Sequence, residues 1–145
     1  MKYTAGNAGL DEIFNLRHKV LRQGKPLESA RFEVDEKPAT RHFAVRDEQD
    51  KVVVCITAAQ SSWENEPAWQ LRGMATDPEY QGKGLGRLLL EFLEKELSAD
   101  SFANMMWCNA RKTAFVFYEK CGWEYASDEF EVPGIGPHKK MKKSL

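Results

Sequence analysis

Short runs of apolar residues predict β-strands in the first half of the chain. The runs at residues 42–46, 52–59 and 69–76 have the length and the bounding residues of strands, and residues 2–4 predict a shorter one. The polar stretch at residues 47–50 predicts the turn between the strands on either side of it. This half of the chain therefore contributes several strands to a sheet.

Apolar residues spaced three or four positions apart predict three amphipathic helices. The first begins near Leu10 and ends at residues 23–26, the second and clearest covers residues 84–97, and the third covers residues 113–120. The apolar face of the second helix is predicted to consist of Leu85, Leu88, Leu89, Phe92 and Leu93. Residues 27–40 are polar and irregular, and they predict no more than one short helix.

Further strands are predicted near residues 105–108, 123–125 and 138–142. Strands thus dominate the first part of the chain, and a strand–helix–strand–helix–strand order follows. That order is typical of an α/β (α+β) fold in which helices cover both faces of a mixed sheet. Because the chain has no internal repeat, low-complexity stretch or Gly/Ser linker, residues 1–145 are predicted to form a single domain.

The composition is that of an ordinary globular protein. Hydrophobic residues make up 42% and charged residues 30%, and the formal net charge is −1. Such a charge gives no electrostatic reason to expect nucleic acid or an anionic membrane as a partner. No apolar run approaches the roughly 20 residues of a membrane span. Residues 1–10 lack the apolar core of a signal peptide, so the expected location is cytoplasmic.

Cysteine and histidine residues are too scattered to predict a disulfide framework or a zinc site. Cys55, Cys108 and Cys121 lie far apart among apolar residues, and the chain has no C-x-x-C pair. The three histidines are equally dispersed. We therefore expect buried, unreactive thiols and no metal.

A glycine-rich turn joins a predicted strand to the clearest predicted helix. It consists of Gln81, Gly82, Lys83, Gly84, Leu85, Gly86 and Arg87. Glycine at alternate positions allows a tight bend and a close approach to a ligand. The backbone amides then converge at the positive end of the helix, where Lys83 and Arg87 add charge. The turn therefore predicts an anion site suited to a pyrophosphate.

Two widespread phosphate-binding motifs do not fit this turn. A Walker P-loop requires Ser or Thr after its lysine, whereas Lys83 is followed by glycine. The dinucleotide fingerprint requires G-x-G-x-x-G, whereas the glycines here run G-x-G-x-G and no first βαβ unit frames them. A plain glycine-rich loop is the remaining alternative, and the position of the turn between Asp77-Pro78 and an amphipathic helix argues against it.

Two sequence blocks between residues 72 and 125 resemble those of one family, in the family's order. Residues 81–86, with the strand and proline at 74–78 leading into them, resemble the acetyl-CoA signature [RQ]-x-x-G-x-[GA] of GNAT N-acetyltransferases. Residues 109–123 are similar to the N-A-x…A…F-Y-x-x-x-G-[FW] block of the same family. The stretch at 132–141 resembles the P-G-I-G-P-H-x-x-M ending of one branch of small GNAT proteins.

The resemblance implies the GNAT fold, a mixed, mostly antiparallel sheet that splays between its fourth and fifth strands, with acyl-CoA in the splay and the length of the acyl group left open. It implies that the pantetheine arm pairs with the backbone of Met74, Ala75 and Thr76, and that the pyrophosphate binds the amides of residues 81–87. Asn109 is expected to hydrogen-bond the cofactor or a bridging water, a strand-end cap being the alternative. The family often has a branched aliphatic residue where Thr76 stands, and threonine keeps the β-branched shape.

Acyl transfer from a thioester to an amine needs donors for the developing oxyanion and benefits from a proton for the leaving thiolate. The resemblance places Tyr118 beside the CoA sulfur. A phenol with a pKa of about 10 can protonate a thiolate whose conjugate acid has a pKa near 8.5. Tyr118 is therefore the predicted general acid, with a purely structural core aromatic as the alternative. The predicted oxyanion donor is a backbone N–H near Thr76.

The sequence leaves the general base open. Candidates are Glu33, Asp35, Glu64, Glu66, His42 and His138. Arg17, on the apolar face of the first helix, has two interpretations: it orients an acidic acceptor, or it packs its methylenes and reaches solvent. Trp63 and Trp69 flank a predicted loop and are either part of an acceptor pocket or ordinary packing residues.

Three functions are compatible with these features. The first is transfer of an acetyl group from acetyl-CoA to a primary amine of a small molecule, peptide or protein. The second is a non-catalytic acyl-CoA-binding sensor or interaction module, which the presence of both Tyr118 and Asn109 disfavours. The third is nucleotide binding, which the glycine spacing disfavours. The acceptor and the choice between monomer and homodimer stay open.

Overall fold

An open eight-stranded sheet is the main element of the computed structural model. The structure describes residues 2–145, so Met1, the first residue of the predicted domain, lies outside the described residues. The strands are β1 (Thr4–Ala8), β2 (Arg41–Arg46), β3 (Val52–Trp63), β4 (Glu66–Thr76), β5 (Met105–Arg111), β6 (Glu124–Tyr125), β7 (Phe130–Val132) and β8 (Gly136–Ser144). The α-helices are α1 (Leu10–Leu21), α2 (Leu85–Ala99) and α3 (Phe115–Lys120). Short 3₁₀ turns lie at Leu27–Ala30, Pro78–Tyr80 and Lys112–Ala114.

The strand order is β1-β2-β3-β4-β5-β8-β6, and β7 pairs with the outer part of β8. Neighbouring strands are antiparallel except β4 and β5, which are parallel. Helix α1 packs on one face of the sheet, where Ile13 and Leu16 join a small apolar cluster with Ala44, Cys55 and Ala75. Helix α2 packs on the other face. The predicted mixed sheet with helices on both faces is confirmed.

Helix α2 supplies the largest share of the main core. Its buried residues are Leu85, Leu89, Leu90, Leu93 and Leu97. The predicted apolar face was wrong in including Leu88, which is 36% exposed, and in omitting Leu90, which is buried. Leu90 and Leu97 lie on the flank of the helix opposite Leu88, so the buried face is rotated away from the predicted one.

Several strands extend beyond their predicted bounds because of backbone pairing, and β7 was not predicted. β1 covers Thr4–Ala8 rather than residues 2–4, and it pairs along its whole length with β2. β5 continues past the predicted 105–108 because residues 109–111 pair with β8. Ladder hydrogen bonds join backbone groups regardless of side-chain polarity, so the apolar pattern could not reveal these extensions.

β4 and β5 pair over a short stretch and then separate. Their register runs from Trp69 opposite Met106 to Leu71 opposite Cys108, and no described residue beyond these pairs across the two strands. Residues 72–76 of β4 therefore present backbone groups to an opening in the sheet. The opening lies between the fourth and fifth strands, as the sequence analysis predicted.

Three further observations concern the part of the chain that the structure describes. All three cysteines are free, and burial raises the pKa of the Cys55 and Cys108 thiols to about 12. No group of three or more His, Cys, Asp or Glu side chains among residues 2–145 is placed to hold a metal ion. The helices within these residues are each too short or too polar to cross a membrane.

Candidate active site

A cleft of about 980 Å³ opens where β4 and β5 separate. Its walls come from the end of α1, the second half of β4, the glycine-rich turn, the end of β5 and helix α3. Most of the predicted site residues line it, namely Met74, Thr76, Gln81, Gly82, Gly84, Leu85, Gly86, Arg87, Asn109 and Tyr118. The side chains of Ala75 and Lys83 do not line it, and the Ala75 side chain instead packs against α1.

The glycines of residues 81–87 serve two different structural purposes. Gly82 and Gly84 have φ values of 77° and 75°, a left-handed conformation that side chains disfavour, and they form the bend before α2. Gly86 lies within the helix, where an added Cβ would lie 3.1 Å from the Phe117 ring and 3.2 Å from the Met74 methyl. The third glycine thus permits close packing of α2 on its neighbours rather than the bend itself.

The turn presents an electropositive surface to the cleft. Gly84 is the N-cap residue of α2 and lies in open space, and the first turn of the helix contains no acidic side chain. The first amides of a helix have no acceptor within the helix and carry a partial positive charge. Arg87 adds a full charge, partly offset by Glu91, whose carboxylate lies 3.1 Å from its Nε. This arrangement suits a phosphate or pyrophosphate group.

The second half of β4 combines a distorted backbone with an open edge. The register between β3 and β4 shifts between Cys55 and Thr57, and Gly73 opposite this shift has a φ of 66°. On one side, Ala75 and Thr76 stay paired with β3. On the other side, β5 has already diverged. The free N–H and C=O groups on that side can pair with an extended ligand as an added strand would.

Tyr118 reaches the base of the opening from helix α3. Its side chain is 5% exposed, and its hydroxyl donates to the Met74 sulfur at 3.6 Å. Cys108 on β5 also lies next to the hydroxyl, so the phenol is adjacent to both of the diverging strands. Burial, and secondarily the nearby Cys108 thiol, raises the pKa of Tyr118 well above its ordinary value. The phenol is therefore protonated at neutral pH and can donate.

Asn109 lies within β5 rather than at its end. Its side chain is exposed, and its carbonyl oxygen accepts from Lys140 Nζ at 3.1 Å. The predicted alternative of a strand-end cap is therefore wrong, because β5 continues for two residues and pairs with β8 there. The amide nitrogen of Asn109 stays available at the cleft.

Arg17 fits neither of its predicted interpretations. It is fully buried and forms a two-point ion pair with Asp35, with N–O distances of 2.7 and 3.0 Å. It also donates to the Ala30 carbonyl and the Thr57 hydroxyl. The pair fastens the irregular segment after α1 to the sheet, so Arg17 does not reach solvent and its charge is neutralised within the protein.

The same network holds His42 in a neutral form. Its Nε2 lies 3.2 Å from the Asp35 carbonyl, which can only accept, so Nε2 carries the proton. Its Nδ1 then accepts from the Thr57 hydroxyl at 2.8 Å. Burial lowers the pKa of His42. Asp35 and His42 are thus structural members of this network and lie outside the cleft.

Of the candidate bases, His138 alone lines the cleft. Glu33, Glu64 and Glu66 are exposed and lie outside it. His138 Nδ1 lies 2.8 Å from the Gly136 carbonyl, so Nδ1 is the donor and Nε2 keeps its lone pair in the neutral ring. The ring also stacks on Phe130 at a centroid distance of 5.9 Å.

The two tryptophans are not pocket residues. β3 and β4 continue to a tight turn after Trp63, so the predicted loop between Trp63 and Trp69 is mostly strand. Trp69 is buried in the main core against Phe102, and Trp63 packs on Trp107. Neither lines the cleft. Of the two interpretations, ordinary packing is the correct one.

Three arginines without a predicted role line the cleft: Arg22, Arg72 and Arg111. Arg22 follows α1, Arg72 lies on β4 at the start of the opening, and Arg111 ends β5. Arg111 directly follows Asn109-Ala110 of the family block, which was the available signal. The other two gave none, because surface arginines are common and only the fold brings these together.

Comparisons with known proteins agree with this geometry. The family model described as "Acetyltransferase (GNAT) domain" matches residues 16–145. The uncharacterized N-acetyltransferase YitI of Bacillus subtilis (strain 168) is 30% identical over 138 residues, covering 94% of this chain and 92% of YitI. Both matches extend well beyond the glycine-rich turn, so the similarity concerns the whole fold.

Two solved structures show the same fold at low sequence identity. An aminoglycoside 6′-N-acetyltransferase complexed with coenzyme A has a TM-score of 0.76 at 17% identity, covering 97% of this chain and 96% of that one. The NatC complex bound to Gag peptide and CoA has a chain with a TM-score of 0.78 at 15% identity, covering 100% and 99%. The chain thus belongs to the GNAT acetyltransferase family, a family of acyl-CoA-dependent N-acyltransferases.

Proposed function

We propose that residues 1–145, as one domain, transfer the acetyl group of acetyl-CoA directly to a primary amine, with Tyr118 as the general acid. The observation that carries this proposal is the position of the Tyr118 hydroxyl next to Met74 of β4 and Cys108 of β5, at the base of the opening. Acetyl-CoA is a substrate here, and the chemistry needs no metal.

Each chemical requirement has a candidate group in the cleft. The neutral amine attacks the thioester carbonyl carbon, a C–N bond forms, and the developing oxyanion accepts from a backbone N–H of β4 near Thr76. The C–S bond then breaks, the sulfur takes the Tyr118 proton, and the positively charged nitrogen releases one proton, which restores the phenol by way of solvent. The phenol is protonated at neutral pH, and the burial that raises its pKa also raises the proton affinity of a thiolate formed beside it, which favours the transfer.

His138 is our candidate for the group that removes the proton of the amine. It lines the cleft, and its Nε2 lone pair is free because Nδ1 donates to Gly136. We expect His138→Gln to lower kcat by about 10²-fold or more without weakening the binding of acetyl-CoA. The control His18→Gln, at a histidine outside the cleft, is expected to keep the wild-type kcat. An unaltered kcat in His138→Gln would exclude His138 as the base.

The cofactor contacts follow the walls of the cleft. We assign the pyrophosphate to the amides of residues 81–87 and the pantetheine arm to the free edge of β4 at Met74, Ala75 and Thr76. Asn109 is assigned to the cofactor or to a water that bridges to it. Two structural neighbours hold CoA, the aminoglycoside enzyme and the NatC complex, which supports a CoA-type substrate for this chain.

The acceptor is an amine on a small molecule, peptide or protein. The structural neighbours support both ends of that range, since one is an aminoglycoside acetyltransferase and another is bound to a peptide. With a formal net charge of −1, we propose a cytoplasmic enzyme without nucleic acid or membrane partners, acting as a monomer or homodimer.

The test compares Gly84→Asp with Gly84→Asn. Both residues tolerate the left-handed backbone, both meet open space, and only aspartate adds a negative charge at the proposed pyrophosphate site. Calorimetry should show acetyl-CoA binding that Gly84→Asp loses and Gly84→Asn largely keeps. Turnover of an amine library, measured as release of the CoA thiol, then separates an enzyme from a sensor. Binding without turnover of any amine would favour the sensor, and absent binding would exclude both.

A further inference from the structure

The charged side chains that line the cleft are all of one sign. Six of them are cationic, namely Arg17, Arg22, Arg72, Arg87, Arg111 and Lys120, and no aspartate or glutamate joins them. The chain as a whole carries slightly more acidic than basic residues, 22 against 21, so this segregation is not a reflection of composition. A cleft of one charge sign concentrates ligands of the opposite sign.

The six charges divide by position and by pairing. Arg87 lies in the glycine-rich turn assigned to the CoA phosphates, and Lys120 ends α3. Arg17 is neutralised by Asp35. The charges of Arg22, Arg72 and Arg111 stay uncompensated, because among residues 2–145 no carboxylate lies within 4.0 Å of their nitrogens.

These three arginines face the side of the sheet that α1 covers. The Arg72 guanidinium lies over the Phe32 ring at 4.6 Å from its centroid, in the segment that follows α1. Arg22 directly follows α1, and its Nε lies 3.4 Å from the Ser29 hydroxyl. Tyr118 and Gly86 pack from the opposite side, with Met74 between them. The arginines therefore lie on the α1 side of the opening, across Met74 from Tyr118 and Gly86.

Arg22 and Arg111 repel each other in the absence of a ligand. Arg111 is only partly exposed, and burial is the main cause that lowers the pKa of its guanidinium, with the nearby Arg22 charge lowering it further. Both guanidinium groups line the same cleft without an acid between them, and an anion bound between them relieves the repulsion. Guanidinium groups also match the planar, two-oxygen geometry of carboxylate and phosphate.

We propose that the acceptor amine carries an anionic group, a carboxylate or a phosphate, that binds between Arg22 and Arg111 with Arg72 beside them. This inference rests on the proposed acetyltransferase function and adds the substrate class to it. The anionic group anchors the acceptor on the α1 side of the sheet, while the amine reaches the acyl group at the opening. A cationic amine without an anionic group gains nothing from these residues.

The experiment offers the enzyme amines in matched pairs. O-phosphoethanolamine is compared with ethanolamine, and β-alanine with β-alaninamide, so the phosphate and carboxylate arms distinguish the two anion types. Release of the CoA thiol gives kcat/KM for each amine, and calorimetry gives its binding to the enzyme–CoA complex. We expect at least one anionic member to exceed its neutral partner by about 10-fold or more in both measurements.

The variants are Arg111→Gln and Arg22→Gln, each with the control Lys95→Gln. Lys95 is exposed on α2, on the opposite face of the sheet, so the control removes the same charge outside the cleft. Each arginine variant should lose about 10-fold to 100-fold in kcat/KM for the preferred anionic amine and little for its neutral partner. Arg111→Lys should retain part of the preference for the anionic amine, because lysine keeps the positive charge but lacks the two-point hydrogen bonding of a guanidinium group.

The outcomes separate this inference from the proposed function. Preferential binding of an anionic amine that Arg111→Gln abolishes supports the anion site, even if no amine is turned over and the enzymatic proposal fails. Turnover that ignores the anionic group overturns the inference and leaves the enzyme intact. Absence of any preferential binding also overturns it. If Arg111→Gln instead weakens acetyl-CoA binding, the arginines belong to the cofactor site and the inference is wrong.

Discussion

At the scale of single residues, burial decides what the ionisable groups of the cleft can do. The phenol of Tyr118 is buried next to two strands, so it holds its proton at neutral pH. The Arg17 guanidinium is buried with a partner, so it is structural. The Arg111 guanidinium is partly buried without a partner, so it is available to a ligand. The same kinds of side chain thus differ in role through their surroundings.

Tyr118→Phe is expected to lower kcat by about 10²-fold to 10⁴-fold, the usual contribution of a positioned general acid. The affinity for acetyl-CoA should change little, because the ring and its packing against Trp123 are kept. Steady-state turnover and calorimetry together check both parts. Tyr125→Phe is the control, since Tyr125 lies outside the cleft and its hydroxyl donates to Glu119. Equal activity of the two variants would contradict the general-acid role.

The lowered pKa of His42 predicts how the free energy of unfolding changes as the pH falls. Burial lowers the pKa of His42 below its ordinary 6.5 in the folded protein. As the pH falls below about 6.5, the unfolded chain therefore binds a proton that the folded chain does not, and the free energy of unfolding decreases. Urea unfolding at pH 7.5 and 5.0 should show a smaller loss for His42→Gln than for the wild type. A loss of equal size in both would refute this assignment.

At the scale of elements, the opening depends on the way β4 bends at Gly73. An added Cβ there would lie 2.8 Å from the Phe32 ring and 3.0 Å from Arg17 Nε. Phe32 lies between the Arg17 and Arg72 guanidinium groups, at 4.0 and 4.6 Å from its centroid. The distorted strand, the segment after α1 and the arginines of the cleft are therefore positioned by one close packing contact.

Gly73→Ala is expected to lower the free energy of unfolding by roughly 2–5 kcal/mol, the sum of left-handed backbone strain and overpacking. Gly134→Ala is the matched control, because Gly134 has a similar φ of 77° but meets nothing within 4 Å. The control should lose only the strain, about 1–2 kcal/mol. Denaturant midpoints with unchanged slopes measure both. Equal losses would show that the contact with Phe32 does not matter.

At the scale of the whole molecule, the chain forms two groups of strands, β1–β4 and β5–β8. They pair directly only from Trp69 to Leu71 of β4. The buried residues of α2 contribute to a core shared by both groups. A ligand in the cleft contacts both groups at once, so its binding adds to their association.

Acetyl-CoA at about 100 times its Kd is expected to stabilise the fold by about 2.7 kcal/mol. Thermal unfolding should therefore shift upward by several degrees, and hydrogen exchange should slow in residues 72–76 and 81–87, where the free backbone groups lie. Gly84→Asn should retain the shift and Gly84→Asp should lose it. Protection confined to other parts of the chain would contradict the proposed binding mode.

Local physics explains the features that could be predicted from sequence. Three amphipathic helices, most strands and the bend at Gly82 and Gly84 follow from short-range periodicity and backbone preference. The family resemblance of residues 81–86 and 109–123 added the mixed, mostly antiparallel sheet and its splay between the fourth and fifth strands, which periodicity cannot supply. The placement of Tyr118 at the opening came from the same source.

Tertiary structure decided what depends on residues distant in the chain. By sequence, Asp35 is a candidate base and Arg17 a candidate ligand for an acidic acceptor, but folding pairs these two residues, eighteen positions apart, with each other. The extension of β5 depends on β8, and the rotation of the buried face of α2 depends on the sheet beneath it. Arg22 and Arg111 line the same cleft only because α1 and β5 end at the same opening. Sequence thus determined the elements and the kind of chemistry, while the fold determined which charges are neutralised and which are left for a ligand, because electrostatic pairing depends on distance in space.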